Sequence, residues 1–559
     1  MSDAPQVPDL LDVDPKLRVD RREMRDAIVF AFAAGEGGMA IDRLIAEAAP
    51  CSSTFDPSRF EGGLFLEDVV KRSFPVVVSG QAVSADNAYL VRTIAHPPRE
   101  PASVAFRRGI LEELVAKPQL RADLEESYRD IRALRDRMTT PAHGSFLEQH
   151  QHRVETLRAL RTVITGLAGR FESASSGLSR VRAFGQSLEQ EAAFGDLTSL
   201  LDYEDGLATV DLRLRVGSDG SIRGFSMIEA REQRESPFYK SPFGRFVTRV
   251  FLWFRGYRFG EAELLSRALD QVFTPFEHRI VEMMQLGADI EVYLGCLGFR
   301  DLALERGLAV CLPEIAKEGP RRFVGLFNPL LFKSRGAPKP CDIESRSADV
   351  IVMITGPNSG GKTRLLQAIG IAQLLAQGGF FVPAREARLH WTEGLFLSLF
   401  QEVTSGQSEG RLGTELARIR ELFEEVAPGD LALIDELCSG TNPSEAEALI
   451  RLVLELLHEL RPQVFVTTHF LSFAAELAEN PPAQGMEFLQ AAIDARSRPT
   501  YAFLPGVAKT SLAAETAARL GVTLEELVAL VARKRASSGP EVELPPELGT
   551  SEAFEPKRD

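Results

Sequence analysis

Cysteine is scarce in this chain of 559 residues. Its five cysteines, Cys51, Cys296, Cys311, Cys341 and Cys438, form no Cys-x-x-Cys pair and no histidine-paired spacing, which excludes a zinc module and a disulfide scaffold and fits a reducing cytoplasm. Long apolar runs are missing as well. No stretch of about 18 uncharged apolar residues occurs, and the acidic start MSDAPQVPDLLDVD lacks the basic-then-apolar order of a secretory signal, so neither a membrane-spanning helix nor an export leader is expected. A basic surplus is also absent, since 64 Lys and Arg stand against 79 Asp and Glu for a net charge of −15. Contact with a polyanion therefore has to come from a local basic patch. What is present is an ordinary globular balance, 44% hydrophobic and 26% charged, in a chain too long for one core at roughly 100–200 residues per domain.

The pattern changes along the chain. Residues 1–95 mix a short amphipathic helix near Met24 with Gly-, Ser- and Pro-punctuated pieces, including the strand-like PVVVSG at 75–80, and read as a small N-terminal region. Over 96–317 apolar residues such as Ile110, Leu111, Leu114, Val154, Leu157 and Leu160 recur at helical steps, predicting long helices. At about 208–230 the period drops to two around Ser218-Asp219-Gly220, predicting a β-hairpin inserted between helices. An α/β segment fills 318–508, and the Pro- and Glu-rich stretch 536–559 reads as a disordered tail. No internal repeat is evident.

The chemistry begins at 349–367, DVIVMITGPNSGGKTRLLQ, where an apolar strand runs into a glycine-rich turn and then a helix. Gly356, Gly361, Lys362 and Thr363 satisfy G-x-x-x-x-G-K-[ST], and the turn Gly356, Pro357, Asn358, Ser359, Gly360 and Gly361 lets backbone wrap phosphate oxygens at a helix N-terminus. Lys362 adds a charge for the β and γ phosphates of ATP, and Thr363 offers its hydroxyl to Mg²⁺. A second buried strand, DLALIDE at 430–436, ends in paired carboxylates: Asp435 suits the metal, and Glu436 suits polarisation of the attacking water. A third, in PQVFVTTHF, delivers His469 to the γ-phosphate side. Lys362, Glu436 and His469 are the catalytic candidates.

These three strands resemble the ATPase domain of the MutS family of DNA mismatch-repair proteins, itself related to the ABC-type ATPases. GPNSGGKT has the family's GPN-x-GGK[ST] form, GGFFVPA at 378–384 is similar to its G-x-[FY]-VPA element, and LIDELCSGTNPSEA at 433–446 to its DE-x-x-x-GT segment. The resemblance implies an α/β phosphate-loop ATPase domain, ABC-like with a mostly parallel sheet, in the C-terminal half, preceded by a mainly helical core and lever with a small β insertion. It also implies that 509–535 helps two ATPase domains dimerise, and that Asn328 in FNPLLFK takes the place of a nucleotide-side histidine. The segment EGRLGTEL at 409–416 is the nearest match to the family's signature, which completes the opposing subunit's ATP site. Gly410 stands where that signature has serine, with Ser408 and Arg411 nearby, and this departure implies slow hydrolysis.

Fewer than about 110 residues precede the helical core, which leaves little room for the family's mismatch reader. Phe65 and Glu67 have its Phe-x-Glu spacing, but the surrounding GLFLED reads as core packing. No Smr-type nuclease pattern follows residue 535, so strand cleavage is not expected of this chain. DNA contact is assigned to 231–258, where seven basic residues outnumber two acidic ones among Phe, Tyr and Trp, with Lys240, Arg245 and Arg249 as phosphate contacts. The same stretch also reads as a helix packed on the lever or lying on a membrane surface. Arg153, Arg158, Arg161 and Arg170 read as a solvated helix face. The expected function is a dimeric ATPase acting on DNA structure in repair or recombination control. The rival is a nucleotide-gated clamp on a protein or membrane-surface partner. If the turn at 356–363 takes a triphosphate, Lys362→Ala is expected to abolish adenine-nucleotide uptake by the folded protein in calorimetry. Unchanged uptake would remove the basis of the whole reading.

Overall fold

The computed structural model describes residues 7–34, 38–85, 87–139, 146–204, 208–216, 222–232, 261–333, 337–357, 359–399, 411–438, 442–482, 485–494, 496, 498–509 and 520–537. One helix, Glu277–Glu305, organises the first part of the chain. Every residue from Ile280 to Phe299 on it is buried, so neighbours cover it all round instead of along one apolar stripe. The helices Arg21–Ala34, Asn87–Ala95 and Pro118–Thr139 pack on it. In Pro118–Thr139 the buried Leu120, Leu124, Tyr128, Ile131, Leu134 and Met138 fall at three- and four-residue steps, the spacing that puts them on one face. Glycine permits the closest approach: a Cβ on Gly298 would stand 1.8 Å from the Pro75 carbonyl oxygen. That carbonyl precedes β1 (Val76–Val78), which turns back antiparallel into β2 (Gln81–Val83).

The first ninety residues do not form a unit of their own. Arg18 lies between Asp9 at 2.5 Å and Asp289 at 2.6 Å, and Asp289 also accepts from the Tyr89 hydroxyl at 2.7 Å and the Leu10 amide at 3.1 Å. All these groups are buried, and charges so placed are tolerable only when paired and hydrogen-bonded. The segment also reaches the C-terminal half, where Gln367 donates to the Gly63 carbonyl at 2.8 Å and Arg59 Nη1 donates to the Glu425 carbonyl at 2.7 Å. Phe65 departs from the packing expected of it. It takes a left-handed conformation, φ 52°, between the helices Glu61–Leu64 and Leu66–Ser73, and is 47% exposed while Leu64 and Leu66 are buried. Breaking the helix at Phe65 rotates that ring out of the apolar face.

The inserted hairpin pairs β3 (Ala208–Val216) with β4 (Ile222–Glu232) antiparallel; its tip, and Lys240, Arg245 and Arg249 beyond it, lie outside the described residues. The C-terminal half holds two sheets. In the smaller, β5 (Glu314–Ala316), β6 (Arg321–Leu326), β7 (Cys341–Ser345) and β9 (Glu386–His390) take the order β5-β9-β6-β7, so this sheet starts a few residues ahead of the expected boundary at 318. The larger contains β8 (Ile351–Thr355), β10 (Leu395–Ser398), β11 (Leu431–Ile434), β12 (Gln463–Thr468), β13 (Glu487–Ile493) and β14 (Pro499–Pro505), in the order β10-β11-β12-β8-β13-β14. It is parallel except for β14 at the edge.

The middle strands are apolar along their length because both faces are covered. Val352, Ile354, Leu433 and Phe465 join an apolar cluster continuous with the helical part, whereas Ile351, Met353, Ile434 and Val466 join a second cluster with the helices Pro443–Leu460 and Leu471–Glu479. The helix after the glycine-rich turn, Lys362–Gln377, is joined to the helical part by Arg107. This fully buried residue of Pro101–Ala116 donates to the Gly378 carbonyl at 3.1 Å, the Leu11 carbonyl at 2.7 Å and Cys51 Sγ at 3.0 Å. No helix among the described residues is long and apolar enough to cross a membrane. Gly298→Ala is expected to destabilise the chain by about 1–3 kcal/mol through overpacking against Pro75, read as a lower thermal midpoint. An unchanged midpoint would mean that the 74–75 segment yields freely.

Candidate active site

The carboxyl ends of β8, β10, β11 and β12 lie level, because Ser398 pairs with Ile434, Ile434 with Val466, and Thr468 with Thr355. In open parallel sheets this edge is where ligands bind. Gly356 and Gly361 hold φ of +138° and +88°, conformations that glycine takes without steric cost, and Gly361 caps the N-terminus of the helix Lys362–Gln377. Lys362 is 3% exposed and folds back over the turn, its Nζ donating to the Gly356 carbonyl at 2.9 Å and the Pro357 carbonyl at 3.4 Å. The Gly360 amide closes the turn on the Pro357 carbonyl at 2.8 Å, and Ser359 beside it is exposed. Asn358, Ser408 and Gly410 lie outside the described residues.

The carboxylates gather beside this turn. Asp435 is 4% exposed and accepts from Thr363 Oγ1 at 2.7 Å on one oxygen and from Thr467 Oγ1 at 2.6 Å on the other. A hydroxyl and a carboxylate this close are the hard oxygen donors that Mg²⁺ takes, with phosphate and water completing its shell, so the pair fits that ion. The Glu436 amide donates to Thr467 Oγ1 at 3.0 Å, and its φ of 47° is left-handed, a conformation that costs a non-glycine residue about 1–3 kcal/mol. The turn brings its carboxylate between the Lys362 ammonium, 3.4 Å away, and His469 Nδ1, 3.6 Å away. His469 first, and then the charge of Lys362, hold the Glu436 carboxyl below the ordinary glutamate range against the opposing effect of burial.

Other residues take places that the sequence did not reveal. Asn328 is buried and braces the helix that follows the turn: its Nδ2 donates to the Arg364 carbonyl at 2.9 Å, and its Oδ1 accepts from the Leu330 amide at 2.9 Å. Thr467 carried a signal only as part of the Thr-Thr-His run. Tyr501 carried none, since a tyrosine in an alternating strand reads as packing. It nevertheless holds a left-handed φ of 62°, and its Cδ1 would stand 3.2 Å from a Cβ on Gly361. The Lys339 ammonium lies 5.4 Å from the ring centroid. The basic residues read as a solvated face are paired within the protein instead: Arg153 with Asp270, Arg158 with Glu155, Arg161 with Asp202, and Arg170 with Asp130 and Glu126.

Residues 352–536, which hold the glycine-rich turn together with Asp435, Glu436, Thr467, His469 and Tyr501, match the MutS domain V family. The chain carries a MutS domain V. Similar relatives carry the name Endonuclease MutS2. That of Thermus thermophilus is 36% identical over 243 residues, 42% of this chain and 31% of the relative. That of Thermomicrobium roseum is 29% identical over 296 residues, 51% and 36% respectively, and that of Geobacillus kaustophilus is 33% identical over 222 residues, 39% and 27%. The chain spans about a third of the length of the curated relatives it matches. Its MutS domain V is a phosphate-loop ATPase module whose glycine-rich turn and paired carboxylates meet at one sheet edge.

Because the Glu436 carboxyl is lowered in the folded chain, the stability it contributes is full above the ordinary glutamate range and is lost as the pH falls through the lowered value. His469→Ala removes the largest cause, so the acid loss of stability that depends on Glu436 is expected to move to higher pH, read from thermal midpoints across a pH series against Glu436→Gln. An acid limb that stays in place would deny His469 any hold on Glu436.

Proposed function

We propose that the chain is an ATP-dependent, DNA-binding MutS-like ATPase, acting in DNA repair or recombination control and hydrolysing ATP at a homodimer interface without reading mismatches itself. The observation that carries this reading is the sharing of one buried carboxylate, Asp435, by Thr363 of the phosphate loop and Thr467 of β12, with Glu436 turned back between Lys362 and His469. The turn Gly356–Thr363 receives the phosphates through its amides, and Lys362 shifts from the loop carbonyls onto phosphate oxygens. Thr363 and Asp435 would hold Mg²⁺, which would supply positive charge to offset that developing on the transferred phosphoryl group. Glu436 orients the attacking water and accepts its proton, and His469 fixes that carboxylate. Tyr501 offers its exposed face to the nucleobase or ribose, with Lys339 alongside.

Support for a dimer comes from the helix Leu524–Ser537, where Leu524, Leu527, Val528, Leu530 and Val531 are all exposed, at 42–80%. A second copy covering them brings a signature-like segment with Ser408 and Gly410 to the opposite ATP. Lys240, Arg245 and Arg249 are the proposed phosphate contacts on DNA. The five free cysteines agree with a reducing cytoplasm. The name carried by the relatives speaks of nuclease activity, whereas the support here is confined to nucleotide chemistry.

Glu436→Gln is expected to bind ATP as the wild type does while losing about 10²-fold or more of its turnover. In ATPase assays with homoduplex, mismatched, branched or no DNA at stated salt, DNA is expected to raise the rate. Each of Arg245→Ala and Arg249→Ala should lower the salt slope of DNA binding by about 1. Equal rates across all four assays would leave the nucleotide-gated clamp as the better reading.

A further inference from the structure

The loop after β11 is held from outside as well as from within. Glu436 and Cys438 both carry left-handed backbone, φ 47° and 60°, which residues with side chains keep only where the surroundings over-determine it. Part of that constraint comes from the helix Arg411–Glu425. Glu415, 4% exposed, uses one oxygen, Oε2, to accept from the Cys438 amide at 3.1 Å and from Arg418 Nη1 at 3.2 Å. Arg418 spreads its fork across two strand ends. Its Nη2 donates to the Asp435 carbonyl at 3.1 Å and to Ser398 Oγ at 3.0 Å, and its Nε donates to Ser398 Oγ at 3.2 Å. Ser398 in turn accepts the Asp435 amide on its carbonyl at 2.8 Å.

The two side chains thus grip the loop at Asp435 and Cys438, one on either side of Glu436. An ion pair at this helical spacing needs neither contact if its work is only to support the helix. No hydrogen bond among the described residues joins either side chain to the phosphate loop. Their influence therefore falls on the carboxylate and not on the phosphate cradle.

We propose that Glu415 and Arg418 are positioning residues that set the Glu436 carboxylate for water attack. The proposal rests on the ATPase reading above. Displacing an attacking group by about 1 Å costs about 10²-fold in rate, and a group that matters only at the reacting centre changes kcat while leaving ground-state affinity alone.

The test compares Glu415→Ala, Glu415→Gln and Glu424→Ala, the last being a control on the exposed Glu424–Arg420 pair of the same helix. Three quantities are read: steady-state hydrolysis, affinity for a slowly hydrolysed ATP analogue, and hydrogen–deuterium exchange over 435–438. Glu415→Ala is expected to lower kcat about 10- to 100-fold, to leave analogue affinity within about twofold, and to speed exchange in 435–438 but not in 356–363. Glu415→Gln restores most of the rate, because its amide oxygen can take the place of Oε2, and Glu424→Ala behaves as wild type. An unchanged kcat in Glu415→Ala, or a parallel fall in analogue affinity, overturns the positioning role. Unaltered exchange overturns the tie itself, whatever the rates. A wild type with no turnover but altered exchange in Glu415→Ala defeats the ATPase reading, and the catalytic role with it, while leaving the tie intact.

Discussion

One buried carboxylate fixes the geometry of the site. Asp435 has no solvent to satisfy it, so each oxygen takes a hydroxyl, one from the helix after the glycine-rich turn and one from β12. Those hydroxyls reach it because parallel pairing sets the strand ends level. In a regular strand the next side chain would point to the opposite face. The left-handed turn at Glu436 cancels that alternation and returns the second carboxylate to the side of Lys362. The strained backbone at Glu436 is thus what lets two adjacent acids face the same glycine-rich turn.

The large sheet also joins the two halves of the molecule. Alternate residues of its strands enter two apolar clusters, and one of these continues without a break into the helical part. Arg107 adds a polar joint, placing a buried guanidinium at the carboxyl end of the helix whose amino end follows the glycine-rich turn. A cation there is favoured by the helix dipole. Any displacement of that helix therefore meets the helical part directly.

The glycine-rich turn was legible in the sequence because its parts lie within eight consecutive residues, between an apolar strand and a helix. The paired carboxylates and the inserted hairpin were legible for the same reason, each having a local periodicity that ends abruptly. Thr467, Tyr501 and Glu415 were not, since their contacts form only where the fold brings separate segments together. Phe65 was misread because an apolar run has no mark for the left-handed residue that splits it into two helices. The first ninety residues had no recognisable fold for a similar reason. Their core is completed by the helix Glu277–Glu305, and no local pattern announces it.

The Arg18 guanidinium has a consequence for biosynthesis. Its partner Asp289 is encoded 271 residues later, so at translation rates of about 5–20 residues per second the amino-terminal segment waits roughly 15–55 s on the ribosome before it can dock. Throughout that interval its apolar side chains are open to chaperones and proteases. The early helices thus reach their final environment only after most of the polypeptide has emerged, and maturation of the whole is timed by synthesis of the central helix.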